Sequence, residues 1–136
     1  MSATMQILQP PGWAKPKGFS NGIAATGKMV FVAGQIAFNS ENIIQEKTFA
    51  GQFRQTLKNT IAVLAEGGAK PEHIVRMTWY VTDKQEYLGA IAEVGAAYRE
   101  LIGRHYPAMA VVQVAGLMED AAKLEIETTA VLPDAA

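Results

Sequence analysis

The segment from about Thr48 to Glu66 constrains the fold of this chain more than any other, because its apolar residues recur at helical spacing. They fall three or four positions apart and so form one stripe along a cylinder: Phe49, Phe53, Leu57, Ile61 and Leu64. Gly67 and Gly68 follow at once, and glycine readily takes the left-handed conformation that ends helices. The segment therefore predicts an amphipathic helix that must pack its stripe against another apolar surface.

Strand patterns lie on both sides of this helix. Before it, two short apolar runs at residues 23–25 and 28–33 predict a β-hairpin. After it, alternation across residues 74–81 predicts a strand whose apolar face holds Val75, Met77, Trp79 and Val81. Two closing strands are predicted at residues 108–115 and 123–131.

A second helix is predicted after the middle strand. Asp83 can cap it, with Glu86 three residues further on as in a capping box. Gly103 and Pro107 end it. Its apolar side is formed by Leu88, Ile91, Val94, Tyr98, Leu101 and Ile102.

The predicted order of elements is two strands, helix, strand, helix and two strands. Because strands and helices do not alternate one for one, an α+β sheet with both helices on one face is favoured over a doubly wound sheet. The other face is then uncovered, and we assign Val111, Leu124 and Ile126 to it. Apolar residues of that size are rarely left in water, so we expect the chain to self-associate.

Length and composition exclude several classes of protein. A chain of 136 residues predicts a single domain over residues 1–136, in which only residues 1–18, rich in proline and glycine, look irregular. A formal net charge of −1 gives no broad attraction to nucleic acid or to an anionic membrane. Without cysteine there is no disulfide framework and no thiolate nucleophile. No secretory leader pattern or membrane-length apolar run is found, so we expect a cytoplasmic protein.

Motifs for metal or cofactor binding are missing from the sequence. The two histidines, His73 and His105, have no partner at ligand spacing, and the glycines match no phosphate-binding motif. The GxSxG motif of serine hydrolases does not occur either. We therefore expect neither a metal nor a cofactor.

Glu125 and Glu127 offer the clearest candidate chemistry. Alternation along the last strand places both carboxylates on one face, with Leu124 and Ile126 on the other. Two acids about 7 Å apart can include one that moves protons or holds a water. A solvated strand face gives the same pattern, and spacing alone favours that simpler interpretation. Several scattered basic residues could each bind a carboxylate, although surface charge is the more common role: Arg54, Lys58, Arg76, Arg99 and Arg104.

Six segments, taken in order, carry a resemblance that spans about residues 18–132. They are residues 18–21, 28–36, 55–59, 74–83, 107–108 and 125–127. Together they resemble the RidA family, also called YjgF/YER057c/UK114. The resemblance implies a chorismate-mutase-like α+β fold with a mixed sheet, and a homotrimer whose sheets form a central barrel with clefts between subunits. It also implies the hydrolysis of reactive enamines and imines to ketoacids and ammonia.

The resemblance assigns site residues by position. Glu127 matches the glutamate that positions or activates water, and Phe19 matches an aromatic residue that closes the pocket, without its hydroxyl. Ser20, Gly34 and Gln35 match pocket-forming stretches. We expect backbone groups in the closing-strand segment to hold the substrate nitrogen or oxygen: Ala108, Met109 and Ala110.

One departure from the family pattern changes the expected chemistry. Met109 stands where the family has the arginine that grips the substrate carboxylate, and a thioether cannot donate two charge-assisted hydrogen bonds. With Phe19, Trp79 and Tyr106, it predicts an apolar cleft and a preference for substrates that are larger or less anionic than short 2-imino acids. The candidates to supply the missing charge are Arg104, His105, Arg54 and Lys58.

The sequence leaves alternative functions open. The favoured hypothesis is an imine or enamine deaminase in which Glu127 orients water. The alternative is a non-catalytic homotrimer that binds a hydrophobic metabolite or a partner protein. A ribonuclease or translation inhibitor, a label attached to this family, is disfavoured because neither a basic patch nor a stacking pattern of aromatic residues supports RNA binding.

Overall fold

The computed structural model describes residues 5–134 of the chain, and its elements follow the predicted α+β order. The strands are β1 (Met5–Leu8), β2 (Gly22–Ala25), β3 (Lys28–Gln35), β4 (Ile74–Val81), β5 (Ala108–Gln113) and β6 (Leu124–Leu132). The helices are α1 (Phe49–Glu66), α2 (Lys84–Gly89) and α3 (Ile91–Leu101), with a short 3₁₀ helix at Pro71–His73. Within residues 5–134, none of these helices combines the length and the apolar character that crossing a bilayer requires.

Four of the strands form one mixed sheet in the order β3-β6-β4-β5. Strand β6 runs antiparallel to both of its neighbours, while β4 and β5 are parallel. Helix α1 packs on β3 and β6, and α3 packs on α1, so these helices cover one face of the sheet. The predicted α+β fold with a mixed sheet is confirmed.

Helix α1 forms where the apolar stripe predicts it. The hydroxyl of Thr48 caps its first turn by accepting a hydrogen bond from the backbone N–H of Gly51, at 3.0 Å. The chain leaves the helix through Gly67 and then Gly68, whose φ of 80° is the left-handed conformation that favours glycine. The buried stripe forms the centre of the core: Phe49, Phe53, Leu57 and Leu64.

The predicted hairpin at residues 23–25 and 28–33 is wrong, although both strands exist. Strand β2 pairs with β1, with Met5 opposite Ala25, and β3 pairs with β6. Strand β1 also shows that residues 5–18 are not wholly irregular, while residues 1–4 lie outside the described part of the chain. Apolar runs in the sequence identify strands. The partner of each strand depends on which pairing buries its faces, and this involves residues that are distant along the chain.

The predicted second helix is divided into two. Asp83 caps α2 as expected, its carboxylate accepting a hydrogen bond from the backbone N–H of Gln85 at 2.9 Å. The helix then breaks at Ala90, whose backbone leaves the helical region, and α3 starts at Ile91. The break leaves Leu88 and Ile91 about half exposed, so only part of the predicted apolar side is buried.

The assignment of Val111, Leu124 and Ile126 to the uncovered face is wrong. Leu124 and Ile126 are fully buried under the helices, and Val111 packs against the same core. A register shift in β4 also buries Ile74 in place of Val75. The uncovered side, here called the open face, carries other residues: Met29, Phe31, Arg76, Thr78, Tyr80, Glu125 and Glu127.

Candidate functional site

The open face holds the two glutamates of β6 as the alternation predicts. Glu125 and Glu127 point away from the helices, and Tyr80 of the neighbouring β4 lies beside them. The phenolic hydroxyl of Tyr80 donates a hydrogen bond to Oε1 of Glu127, with 2.5 Å between the oxygens. This bond to the Glu127 carboxylate, followed by burial, raises the pKa of Tyr80 above its ordinary value. The glutamate is therefore held in one orientation with its second oxygen, Oε2, left for another partner.

Glu127 lines a groove of about 530 Å³, here called the open-face groove. Its other lining residues are Phe31, Val32, Ala33, Arg76, Thr78, Thr128 and Thr129. Arg76 is the one cation among them, so the groove pairs one positive and one negative side chain. A carboxylate in such a place can accept a proton from water, and a nearby guanidinium can bind an anion.

A second hollow lies on the helix-covered side of the sheet, at its β5 edge. This helix-side cavity has a volume of about 380 Å³, within the range of small-molecule sites. Met109 and Phe19 both line it, as do Trp79 and Tyr106. The remaining lining residues are Lys17, Gly18, Tyr87, Ile91, Val94, Gly95, Tyr98, Arg99 and Val111.

Aromatic rings make up much of the wall of the helix-side cavity. Tyr98 and Tyr106 stack with their ring centroids 5.7 Å apart and their planes 9° apart. Trp79 lies 6.2 Å from Tyr98 and 6.4 Å from Tyr87, centroid to centroid. Rings in contact hold one another in place, so the cavity is a preformed apolar surface.

Ser20 does not line the helix-side cavity but fastens the segment that carries Phe19. Its hydroxyl donates to the carbonyl of Tyr106 at 2.5 Å, and its backbone N–H donates to the carbonyl of Pro107 at 3.0 Å. The side chain is buried. Ser20 therefore holds the aromatic residue before it against the start of β5.

Gly34 and Gln35 lie at the end of β3, in a third hollow that includes Glu125. A Cβ added to Gly34 would overlap Oε2 of Glu125, so the carboxylate rests directly on the glycine backbone. Gln35 donates from Nε2 to the carbonyl of Ala33 at 3.1 Å. This hollow is separate from both the open-face groove and the helix-side cavity in its lining residues.

The candidate residues thus fall on two sides of the sheet. Register places Met109 beside Met77, on the helix-covered face, and places Ala110 in line with Thr78 and Glu127 on the open face. Ala108 shares the open face with Ala110, because residues two apart in a strand point the same way. Within one copy, then, Met109 and Glu127 cannot touch the same small molecule.

Sequence reasoning missed the role of Tyr80, and it named Arg99 only among the scattered basic residues that could bind a carboxylate. Alternation along β4 places the side chain of Tyr80 on the same face of the sheet as Glu127. Nothing in the local sequence indicates the hydrogen bond between them. Arg99 reaches the helix-side cavity, whereas two suggested replacements for the missing arginine are engaged elsewhere. Arg54 pairs with Glu100, and Nε2 of His105 lies 2.6 Å from the carbonyl of Ile74.

Both histidines bind backbone groups. Nδ1 of His73 accepts a hydrogen bond from the backbone N–H of Lys70 at 2.9 Å, and His105 bonds the carbonyl noted above. Between residues 5 and 134, no three acidic, histidine or cysteine side chains are grouped as a metal site would require.

Comparison with known proteins gives one consistent result. The family model described as Endoribonuclease L-PSP matches residues 13–132. A RutC family protein of Synechocystis, slr0709, is 35% identical over 133 residues, which cover 96% of this chain and 98% of that protein. The 2-iminobutanoate/2-iminopropanoate deaminase of Escherichia coli K12 is 35% identical over 108 residues, covering 77% of this chain and 80% of the deaminase.

A solved structure agrees with these sequence matches. It is the crystal structure of YyfB from Yersinia pestis, described as a protein of unknown function of the conserved Rid protein family. The two chains superpose with a TM-score of 0.82 at 30% identity, covering 96% of this chain and all of that one. The pair of glutamates on a mixed sheet of this strand order agrees with these matches. The chain belongs to the RidA (YjgF/YER057c/UK114) family, which the Endoribonuclease L-PSP model describes.

Proposed function

We propose that this protein hydrolyses an imine, or an enamine after its conversion to the imine, to a carbonyl compound and ammonia. The observation that carries the proposal is the carboxylate of Glu127, fixed by Tyr80 and facing a groove. The relative named 2-iminobutanoate/2-iminopropanoate deaminase supports this reaction class at 35% identity.

The reaction needs one oriented water and one group that moves a proton. Water adds to the carbon of the protonated C=N bond while Oε2 of Glu127 takes one of its protons, which leaves a hydroxyl and a neutral amine on a tetrahedral carbon. Glu127 then returns that proton to the nitrogen. The C–N bond breaks as the hydroxyl proton passes to the carboxylate and from there to solvent, so ammonia leaves and the carbon keeps the oxygen as a carbonyl. A single carboxylate can serve these proton transfers, as base, then acid, then base.

We further propose a homotrimer in which the site is completed between copies. Because Met109 and Glu127 face opposite sides of the sheet, one copy supplies the helix-side cavity and a second supplies its glutamate. Both β3 and β5 are edge strands of the sheet. Ser20 bridges the start of β5 at Ala108, and the edge of β3 can be offered to another copy. On the open face, Phe31 is 69% exposed and Met29 is 55% exposed, and a contact between copies would bury them.

Met109 shifts the preferred substrate, in this proposal, from short 2-imino acids to bulkier ones. A cavity of about 380 Å³ walled by aromatic rings and a thioether offers apolar contact that a three-carbon acid cannot use. Each buried methylene adds about 0.8 kcal/mol of favourable transfer energy, so a larger apolar side chain gains most.

The test compares two freshly generated imines, 2-iminopropanoate and the imine of phenylpyruvate. We expect the wild-type protein to release ammonia faster from the bulkier imine, and Met109→Arg to shift that preference towards 2-iminopropanoate. We expect Glu127→Gln to lower the rate about 100-fold or more, with Glu125→Gln as the matched control on the same strand face. Fast wild-type turnover of 2-iminopropanoate would contradict the role of Met109, and an active Glu127→Gln variant would contradict the water-handling role.

One observation favours the non-catalytic alternative. The part of the chain that the structure describes contributes no carboxylate and no histidine to the lining of the helix-side cavity, so these residues form a binding pocket without a carboxylate or imidazole to act as acid or base. A metabolite-binding protein would show saturable affinity for apolar acids without release of ammonia from any imine. Ribonuclease activity has less support, since Arg76 is the one cation lining the open-face groove and a polyanion needs several.

A further inference from the structure

Arg99 projects over a glycine into the mouth of the helix-side cavity. Gly95 lies one helical turn before it on α3, and long side chains on a helix lean towards the N-terminus. A Cβ added to Gly95 would lie 3.3 Å from a terminal nitrogen (Nη1) of the Arg99 guanidinium. The guanidinium thus lies close against Gly95, and a larger side chain at this position would crowd it.

Glycine at position 95 is unfavourable for the helix that contains it. In a helix interior, glycine is about 1 kcal/mol less favourable than alanine. Gly95 has an ordinary helical backbone and needs no left-handed conformation, so the turn itself does not require glycine. Access for Arg99 to the cavity gives a physical reason for a residue without a side chain.

The charge of Arg99 is not used elsewhere in the part of the chain from residue 5 to 134. The ion pairs formed there join Arg54 to Glu100 and Lys123 to Glu86. The neighbouring Glu100 is thus already paired, and among the described residues no acidic side chain lines the cavity. Lys17 is the other cation of the lining, but its ammonium is a point charge, whereas a guanidinium can bind a carboxylate through two hydrogen bonds.

We propose that Arg99, reaching across Gly95, binds the carboxylate of an aromatic or similarly bulky 2-imino acid whose side chain fills the helix-side cavity. The identity of the ligand as an imine substrate rests on the proposed function. The binding of a carboxylate by Arg99 does not depend on it. It moves the anion-binding group from β5, where Met109 stands, to α3 on the opposite wall. The substrate is then an anion with a large apolar side chain. This replaces the expectation, drawn from Met109, of a substrate that is less anionic than short 2-imino acids.

Binding of a non-hydrolysable acid tests this without turnover. The probes are 3-phenylpropanoate, its uncharged amide 3-phenylpropanamide, and propanoate, each titrated calorimetrically into the full-length protein. We expect wild-type protein to bind 3-phenylpropanoate at least about tenfold more tightly than either other probe, because a hydrogen bond to a charged group and an apolar contact both contribute. Equal binding of acid and amide would overturn the inference, as would no detectable binding of the acid.

Substitutions then identify which cation of the cavity binds the carboxylate of the acid. Arg99→Gln removes the cation on an exposed side chain and should reduce acid binding about tenfold while leaving the amide unchanged. Arg104→Gln, on an exposed arginine outside the cavity lining, is the matched control and should change neither. If Lys17→Gln removes the preference for the acid and Arg99→Gln does not, the inference is wrong.

Position 95 gives an independent measurement. Gly95→Ala should raise the thermal midpoint, because alanine favours the helix, while acid binding changes little, since the Arg99 side chain has to shift only slightly. Gly95→Leu should block both acid and amide by filling the cavity. Unchanged acid binding in Gly95→Leu would contradict the placement of the ligand.

The two proposals fail in distinguishable ways. If wild-type protein hydrolyses the bulky imine and Arg99→Gln leaves its KM unchanged, the deaminase proposal stands and Arg99 is not the anchor. If Arg99 controls binding of the acid but no imine is hydrolysed, the anchor stands and the deaminase proposal fails.

Discussion

The hydroxyl of Tyr80 and the carboxylate of Glu127 are joined by a 2.5 Å hydrogen bond across two antiparallel strands. The bond is diagonal: Thr78 is the residue directly opposite Glu127, and Tyr80 lies opposite Glu125. One carboxylate of the pair is thereby oriented by a neighbouring strand. This asymmetry distinguishes two glutamates that look equivalent in the sequence.

Tyr80→Phe should lower kcat for imine hydrolysis about threefold to tenfold, because the carboxylate of Glu127 loses the donor that orients it. The thermal midpoint should stay close to that of the wild type, since Tyr80 is only partly buried. Steady-state kinetics and thermal denaturation measure the two effects. A full wild-type kcat would show that orientation by Tyr80 is unimportant.

The same bond predicts a shift in the titration of Tyr80. The Glu127 carboxylate is the main cause of the raised pKa of Tyr80, so Glu127→Gln should lower that pKa towards its ordinary value of about 10. Ultraviolet difference titration of phenolate, compared with the Tyr80→Phe variant to identify the signal, measures it. An unchanged titration would mean that the hydrogen bond does not persist in solution.

Phe31→Asp should dissociate the proposed homotrimer. Phe31 is the most exposed large apolar residue of β3, and an aspartate in its place would have to lose its hydration on burial between copies. Light scattering after size-exclusion chromatography measures the mass. Met118→Asp is the matched control, because Met118 is fully exposed in the loop before β6. A monomeric wild-type protein would contradict the oligomer itself.

Gly27→Ala should destabilise the fold by at least about 2 kcal/mol. Gly27 has a φ of 142°, which L-residues rarely adopt, and an added Cβ would overlap the carbonyl oxygen of Leu132. Urea denaturation measures the change in the free energy of unfolding. Gly116→Ala, where no atom lies within 4 Å of the new Cβ, should change it little.

Stability should fall at alkaline pH because of Tyr98. Burial raises the pKa of Tyr98, so the folded state keeps the phenol neutral while the unfolded chain ionises near pH 10. This contribution is present in full below about pH 10 and is lost as the pH rises above it. Tyr98→Phe should therefore flatten the decline in the free energy of unfolding between about pH 9 and pH 11.

The same variant carries an opposite effect at neutral pH. Tyr98 donates to the carbonyl of His105 at 2.5 Å, and losing that bond should lower stability by about 1 kcal/mol. Urea denaturation across the pH series separates the two effects. An equally steep alkaline decline in both proteins would exclude Tyr98 as its cause.

Local patterns were sufficient to predict several parts of the fold. The spacing of the stripe from Phe49 to Leu64 and the two glycines after it define α1, and Asp83 marks the start of α2. Alternation in β6 separates Glu125 and Glu127 from the buried Leu124 and Ile126. These features depend on neighbours within a few residues, which the sequence lists directly.

The sequence by itself determined the family, the bounds of α1, the start of α2 and the shared face of Glu125 and Glu127, because each follows from short-range spacing or from matching motifs. Only the tertiary structure decided that β2 pairs with β1, that Val111 lies under the helices, and that Arg99 faces the cavity of Met109. Those relationships join residues that are distant along the chain. They follow from strand register and from how helices pack on the sheet, and no local period encodes either one.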